Sequence, residues 1–269
     1  KGCTASVEKI SDAEWHVTVT TAGAVAVADP EQDGAAFCDA GAGKGKLVIS
    51  VYTDCMGRGD WDGAERIFLA ALTEAEETGD RRAALSLCSE LMGFYRQRAD
   101  AEKFYPVLGR CTELLGEVRP GAAARGTILI NAATALAAFG EAQRALPLFR
   151  EAESLYAVSL GADHPRLAAL YNNMAAALDA LHRPDEAERY MLRALENQKK
   201  RPGDLDLAVT YVNLAQHYAA QDENDARIAA CLDKAMERMD SPDAVWEYYY
   251  AHTARKIAPA LEALGRADA

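Results

Sequence analysis

The stretch Asn172–Leu195, NNMAAALDALHRPDEAERYMLRAL, decides the fold. With Leu170 just upstream, Met174, Leu178 and Leu181 follow at gaps of 4, 4 and 3, the spacing of one helix face. Ala187, Met191, Ala194 and Leu195 repeat that pattern in the second half. His182 and Arg183 fall between the two runs, and Pro184 and Asp185 open the second, where proline is tolerated. The stretch reads as two helices joined by a tight turn.

The same two-helix phrase recurs along the chain. Asn131, Asn173 and Asn213 stand 42 and 40 residues apart and open NAATALAAF, NMAAALDAL and NLAQHYAAQ. GEAQRALPLFREAE from Gly140 and RGDWDGAERIFLAAL from Arg58 restate the second helix. Ala64/Ala71, Ala145/Ala152 and Ala187/Ala194 keep one seven-residue spacing, and the copy missing near 104 is found at Phe104 and Cys111. Pro106 also precedes Pro147 by 41 residues. A fixed period of this length marks a stacked repeat array. Small side chains at fixed places let two helices approach, and alanine does so without the entropy cost of glycine. LGADHPRLA supplies Gly161 as a stop, with Asp163 and Pro165 as start signals, between copies.

These positions resemble the tetratricopeptide repeat family. Gly59, Trp61, Ala64, Phe68 and Ala71 carry the likeness in the first copy; Gly140, Ala145, Phe149 and Ala152 in the third; Tyr171, Ala175, Ala187 and Ala194 in the fourth. The period near 42, with LGADHP before a helix bearing NN, is similar to kinesin light chain repeats. The resemblance covers roughly Gly45 to Asp240 and implies an all-α, right-handed superhelical solenoid of about five helix-turn-helix repeats. Phe104 and Ile228 stand where other copies carry a small residue, and those two helix pairs are expected to pack at unusual angles.

Three segments follow: an arm and linker at 1–44, the array at 45–240, and a capping helix at 241–269. The cap, with Ser241 or Asp243 as start signal and Trp246, Tyr250 and Ile257 on its apolar side, covers the last repeat face. In the arm, EWHVTVTTAGAVAVA alternates through Trp15, Val17 and Val19, then Val25 and Val27, and predicts a short hairpin or extended segment. Gly41, Gly43 and Gly45 tether it. It has two expected seats: a cap on the first repeat, or the groove of its own or a second molecule. The last leaves a homodimer open.

The net charge of −12 excludes a general nucleic-acid binder, since phosphates need a basic patch and none is present. No apolar run is long enough to cross a membrane. The chain starts at Lys1 without an initiator Met or signal peptide. A cytoplasmic location is expected, with a preceding export signal as the alternative. Cys55, Cys88, Cys111 and Cys231 are expected to be buried free thiols, while a Cys3–Cys38 pair stays open.

No constellation of catalytic residues emerges. GAGKGKL lacks the Ser or Thr and the glycine spacing of a phosphate loop. RGD at Arg58–Asp60 reads as a turn, and the five histidines show no metal-ligand spacing. A non-enzymatic protein-interaction scaffold without cofactor is therefore expected, binding a protein or peptide in its groove. The alternative is a regulatory or sensor module of a larger protein.

In the family, first helices line the concave surface and bind peptides there. The resemblance carries that role to Thr127, Asn131, Thr134, Asn172, Asn173, Asp179, Asn213 and Gln216. Carboxamides suit it because they both donate and accept without burying a charge. The competing assignment is that each satisfies neighbouring helix backbone.

Overall fold

The structure, a computed structural model, describes residues 4–11, 14–20, 59–201, 204–221, 225–241 and 247–265. The chain divides into two units, 1–46 and 47–269, and each stands here by itself.

In the first unit, β1 (Thr4–Ser11) pairs antiparallel with β2 (Glu14–Thr20). β2 contains the Trp15, Val17, Val19 alternation. Its partner lies upstream of it, with Val7 opposite Val17 and Lys9 opposite Trp15. TASVEKIS is the richer strand former, because the downstream run is mostly Ala and Gly. That run, with Val25 and Val27, lies outside the described residues, as do Cys3, Cys38, Cys55 and the glycine tether.

The second unit is a stack of helix pairs. The first copy is represented by its second helix, α1 (Trp61–Glu77). Then come α2 (Arg81–Gln97) with α3 (Ala101–Val118), α4 (Ala122–Ala138) with α5 (Ala142–Ser159), α6 (Pro165–Ala180) with α7 (Pro184–Gln198), and α8 (Asp206–Ala220) with α9 (Asp225–Met239). α10 (Glu247–Ala263) closes the array. No described helix is long and apolar enough to cross a membrane.

The turns explain the period. Gly59, Ala99, Gly140, His182 and Gly265 all take positive φ; Ala99, Gly140 and His182 each sit between a first and a second helix, and Gly59 directly precedes Asp60, the N-cap of α1. α10 therefore ends on the same backbone signature as the first helices. Asp60, Asp80 and Asp100 follow Gly59, Gly79 and Ala99, and each side chain accepts a backbone N–H three residues on, at 2.8, 3.0 and 3.1 Å. At Gly79 and Ala99 a left-handed residue stops one helix and an aspartate starts the next, and each of the three aspartate caps contributes about 1 kcal/mol. The RGD tripeptide contains one of these caps.

The small-residue slots are filled as the register requires. Ala64, Ala145 and Ala187 are inaccessible, and so are Cys111, Ala152, Ala194 and Ala235 seven residues on in their own copies. Ala71, in the first copy, is half-buried. Leu85, Leu91, Ile128, Leu136, Leu170, Met174 and Leu178 fill the space between helices. In α10, Ile257 packs inward, while Tyr250 is 40% exposed, contrary to its expected place in the apolar stripe. Trp246 and Asp243 lie outside the described residues.

Where the slot is small, the second helix of one pair lies against the first helix of the next: α1 on α2, α5 on α6, α7 on α8. Where it is large, the packing changes. With Phe104 in the slot, α3 stands off α4 and α4 settles mainly on α2; with Ile228 in the slot, α10 settles mainly on α8. Phe104 fills its own gap by meeting Phe139 at 5.0 Å between ring centroids. The sequence points to unusual packing inside the second and fifth helix pairs; the change of partner falls instead at the junction each makes with its successor. Within the fifth copy, α8 and α9 pack as closely as other pairs.

Two small-slot junctions carry the same polar staple, 123 residues apart. Glu65 accepts from Tyr95 Oη at 3.1 Å and pairs with Lys103 Nζ at 2.6 Å. Glu188 accepts from Tyr218 Oη and Arg227 Nη2, both at 2.7 Å, with the Arg227 guanidinium 3.9 Å from the Tyr218 ring centre. The Tyr218 hydroxyl bond, aided by Arg227, holds the Glu188 carboxyl below its usual pKa.

Candidate binding groove

Consecutive first helices touch one another along the stack, α2 to α4, α4 to α6, α6 to α8 and α8 to α10, whereas no second helix approaches the next comparably among the described residues. The stack therefore closes on the side of the first helices, and their outward residues form its inner wall.

Side-chain hydrogen bonds join that wall from repeat to repeat. Asn131 on α4 donates through Nδ2 to Ser89 Oγ on α2 at 2.9 Å. Asn173 on α6 donates to Thr134 Oγ1 on α4 at 3.2 Å. Asn213 on α8 donates to Asn172 Oδ1 on α6 at 3.3 Å. Asn172 Nδ2 in turn donates to Thr210 Oγ1 on α8 at 2.7 Å, and Thr210 donates to Gln198 Oε1 on α7 at 2.8 Å. His217 Nδ1 on α8 lies 2.8 and 3.0 Å from the two carboxylate oxygens of Asp179 on α6. A carboxylate only accepts, so Nδ1 carries the proton. Ser89, Thr210, Gln198 and His217 are buried. Each would be costly to leave unpaired, and each bond contributes a net ~1 kcal/mol.

The carboxamides thus bond to side chains one repeat away rather than to neighbouring backbone. Their partners recur 38 to 42 residues apart, the array's own period. Ser89, Thr210, Gln198 and His217 were missed in the sequence. The signal that finds Ser89, Thr210 and His217 is a polar residue one period from another on a first helix; Gln198, on α7 and 12 residues from Thr210, carries no such signal.

Five of the eight anticipated residues, Asn172, Asn173, Asp179, Asn213 and Gln216, line one open cleft of about 640 Å³ on the inner wall. His182 and Gln221 stand with them, and Ala176, Met191 and Ala220 add apolar surface. Gln216 is exposed; the other four are half-buried. Asn131 and Thr134 belong to the same wall beyond the cleft. Thr127 turns away from the wall, and its Oγ1 lies 2.7 Å from Tyr156 Oη, within its own helix pair.

A smaller hollow of about 160 Å³ between α1, α2 and α3 is walled by paired charges, Arg110 with Glu76 and Arg81 with Glu117. Among the described residues no group of three or more His, Cys, Asp or Glu is placed to hold a metal ion.

Residues 124–200 match the tetratricopeptide repeat family model. Comparison with curated protein sequences finds no match. Among solved structures the chain is similar to BtubC (BKLC) from P. vanneervenii, at 20% identity over 81% of this chain and 86% of that one, with a TM-score of 0.66. It is also similar to kinesin light chain nearly identical TPR-like repeats from Podosopora anserina, at 17% identity over 72% and 93%, with a TM-score of 0.62. MamA from Desulfovibrio magneticus RS-1 follows at 18% identity over 75% and 98%, with a TM-score of 0.51. Likeness at these identities is one of fold. Residues 124–200 are tetratricopeptide repeats, and the helix pairs on either side continue that fold as an all-α solenoid like those of kinesin light chain repeats.

Proposed function

We propose that this chain is a protein-interaction scaffold whose inner wall takes a peptide segment in the cleft between α6 and α8. Solenoids of this kind present extended concave surfaces for such partners. One observation carries the finer reading. The cleft gathers neutral carboxamides from two consecutive first helices around a small apolar floor. That composition suits a backbone rich in N–H and C=O groups, because amides can meet either.

The test is a peptide selection by display on the whole chain, followed by two bulky substitutions. Ala176→Trp fills the cleft, and Leu192→Trp adds the same bulk on α7, where Leu192 is exposed and outside the cleft lining. Selected peptides should lose binding at least tenfold, or about 1.4 kcal/mol, to Ala176→Trp and keep it with Leu192→Trp. Equal binding to both variants would remove the cleft from the function.

A further inference from the structure

We infer that the segment the cleft takes is cationic, carrying lysine or arginine; this rests on the groove reading above. The cleft's charge balance points to it, with the hydrogen-bonding groups left over by the repeat-to-repeat bonds compatible with it. Asn173 and Asn213 each give one Nδ2 hydrogen to the neighbouring helix and keep the second hydrogen and, among the described residues, an unpartnered carbonyl oxygen. Asn172 uses both ends of its amide in the same chain of bonds. Asp179 gives His217 one hydrogen-bond direction and keeps a carboxylate whose side chain is 30% exposed. The amides are thus left able to donate or accept, and the Asp179 carboxylate sets the sign of the charge they surround.

The charge balance is what favours a cation. None of the described residues lining the cleft is Lys or Arg, and Asp179 is the one carboxylate among them. The nearby Arg183 is occupied by Glu186 at 2.6 Å. An ammonium or guanidinium brings positive charge with its donors, and so meets the Asp179 carboxylate as well as the amide oxygens. The long aliphatic stems of these side chains suit Ala176, Met191 and Ala220, since lysine and arginine lay their methylenes on apolar surface and keep the charge at its edge. The chain's net charge of −12 adds long-range attraction for a basic partner. An acidic segment would meet no lysine or arginine among the described lining residues and would face the Asp179 carboxylate.

Two labelled peptides of the same length test this on the whole chain, one of alternating leucine and lysine, the other of alternating leucine and glutamate. The lysine peptide should bind more tightly, and its affinity should fall as salt is raised. Asp179→Asn keeps an acceptor for His217 and removes the charge; it should weaken the lysine peptide about twofold to fivefold. Gln216→Lys, at an exposed cleft position, should weaken it similarly. Leu192→Lys makes the same change in net charge outside the cleft and should leave it unaltered. The inference is overturned if the glutamate peptide binds more tightly, if neither peptide binds, or if Leu192→Lys weakens binding as much as Gln216→Lys. The last result would mean the whole molecule's charge, not the cleft, is responsible. None of these outcomes bears on the display selection, which decides separately whether the cleft binds peptide at all.

Discussion

A Cβ added at Gly126 on α4 would come within 2.6 Å of the Tyr156 ring. Tyr156 is 2% exposed and its hydroxyl is held by Thr127, so the ring has nowhere to retreat. Gly126→Ala should therefore destabilise by roughly 1–3 kcal/mol through overpacking, although alanine is the better helix former. Gly93 and Gly109 are the internal controls, because nothing lies within 4 Å of a Cβ at either. Alanine there should raise stability by up to about 1 kcal/mol. Thermal melts of the three variants check this, and a Gly126→Ala midpoint at or above wild type would contradict the packing described. The same logic applies to Ala187 and Ala152, both inaccessible: leucine at either should cost roughly 1–3 kcal/mol, and unchanged midpoints would break the register.

At the scale of the element, α6 begins unusually. Its N-cap is His164, whose Nδ1 accepts the Arg166 N–H at 3.3 Å. Burial, together with Arg166 and Arg201 nearby, pushes the His164 pKa below its ordinary 6.5. The folded state therefore binds its proton less readily than the unfolded chain. The contribution is complete above the ordinary histidine pKa and is lost as pH falls through it toward the folded value. Protonation also removes the capping acceptor and sets a positive charge at a helix N-terminus. His164→Asn should match or exceed wild-type stability near pH 7 and lose less on acidification to about pH 5.5. Parallel losses for the two proteins in denaturant titrations would refute it. Helix starts and stops of this kind were only partly legible. Gly140, Gly161 and Pro184 announced themselves, because their backbone chemistry is a property of one residue. The runs on either side placed His182 in a turn, but neither its positive φ nor that of Ala99 is announced by the residue as it is by glycine. The Asp60, Asp80, Asp100 cadence was in plain view but reads as a signal only beside the left-handed residue before each.

For the whole molecule, the period fixed the fold because each copy can bury its apolar face only against a neighbour. The junctions were not legible: Phe104 and Ile228 pointed to unusual packing inside their own helix pairs, whereas the change of partner falls where each pair meets its successor. The cleft was half legible. Its amides were found by position, but the bonds that tie them cross a full repeat, and no local window contains both ends.

Cys88 on α2 and Cys111 on α3, both in the second copy, are inaccessible, and burial pushes their thiols up to about 11 and about 12. Cys231 on α9 is half-buried. Native-state alkylation, followed peptide by peptide, should modify Cys231 well before the other two; equal rates would mean that α2 and α3 do not enclose them. The two sulfurs can react only while their own repeat is open, and a linear array opens piece by piece rather than all at once. Their labelling rate therefore clocks the breathing of a single repeat within the intact molecule, with no probe introduced from outside.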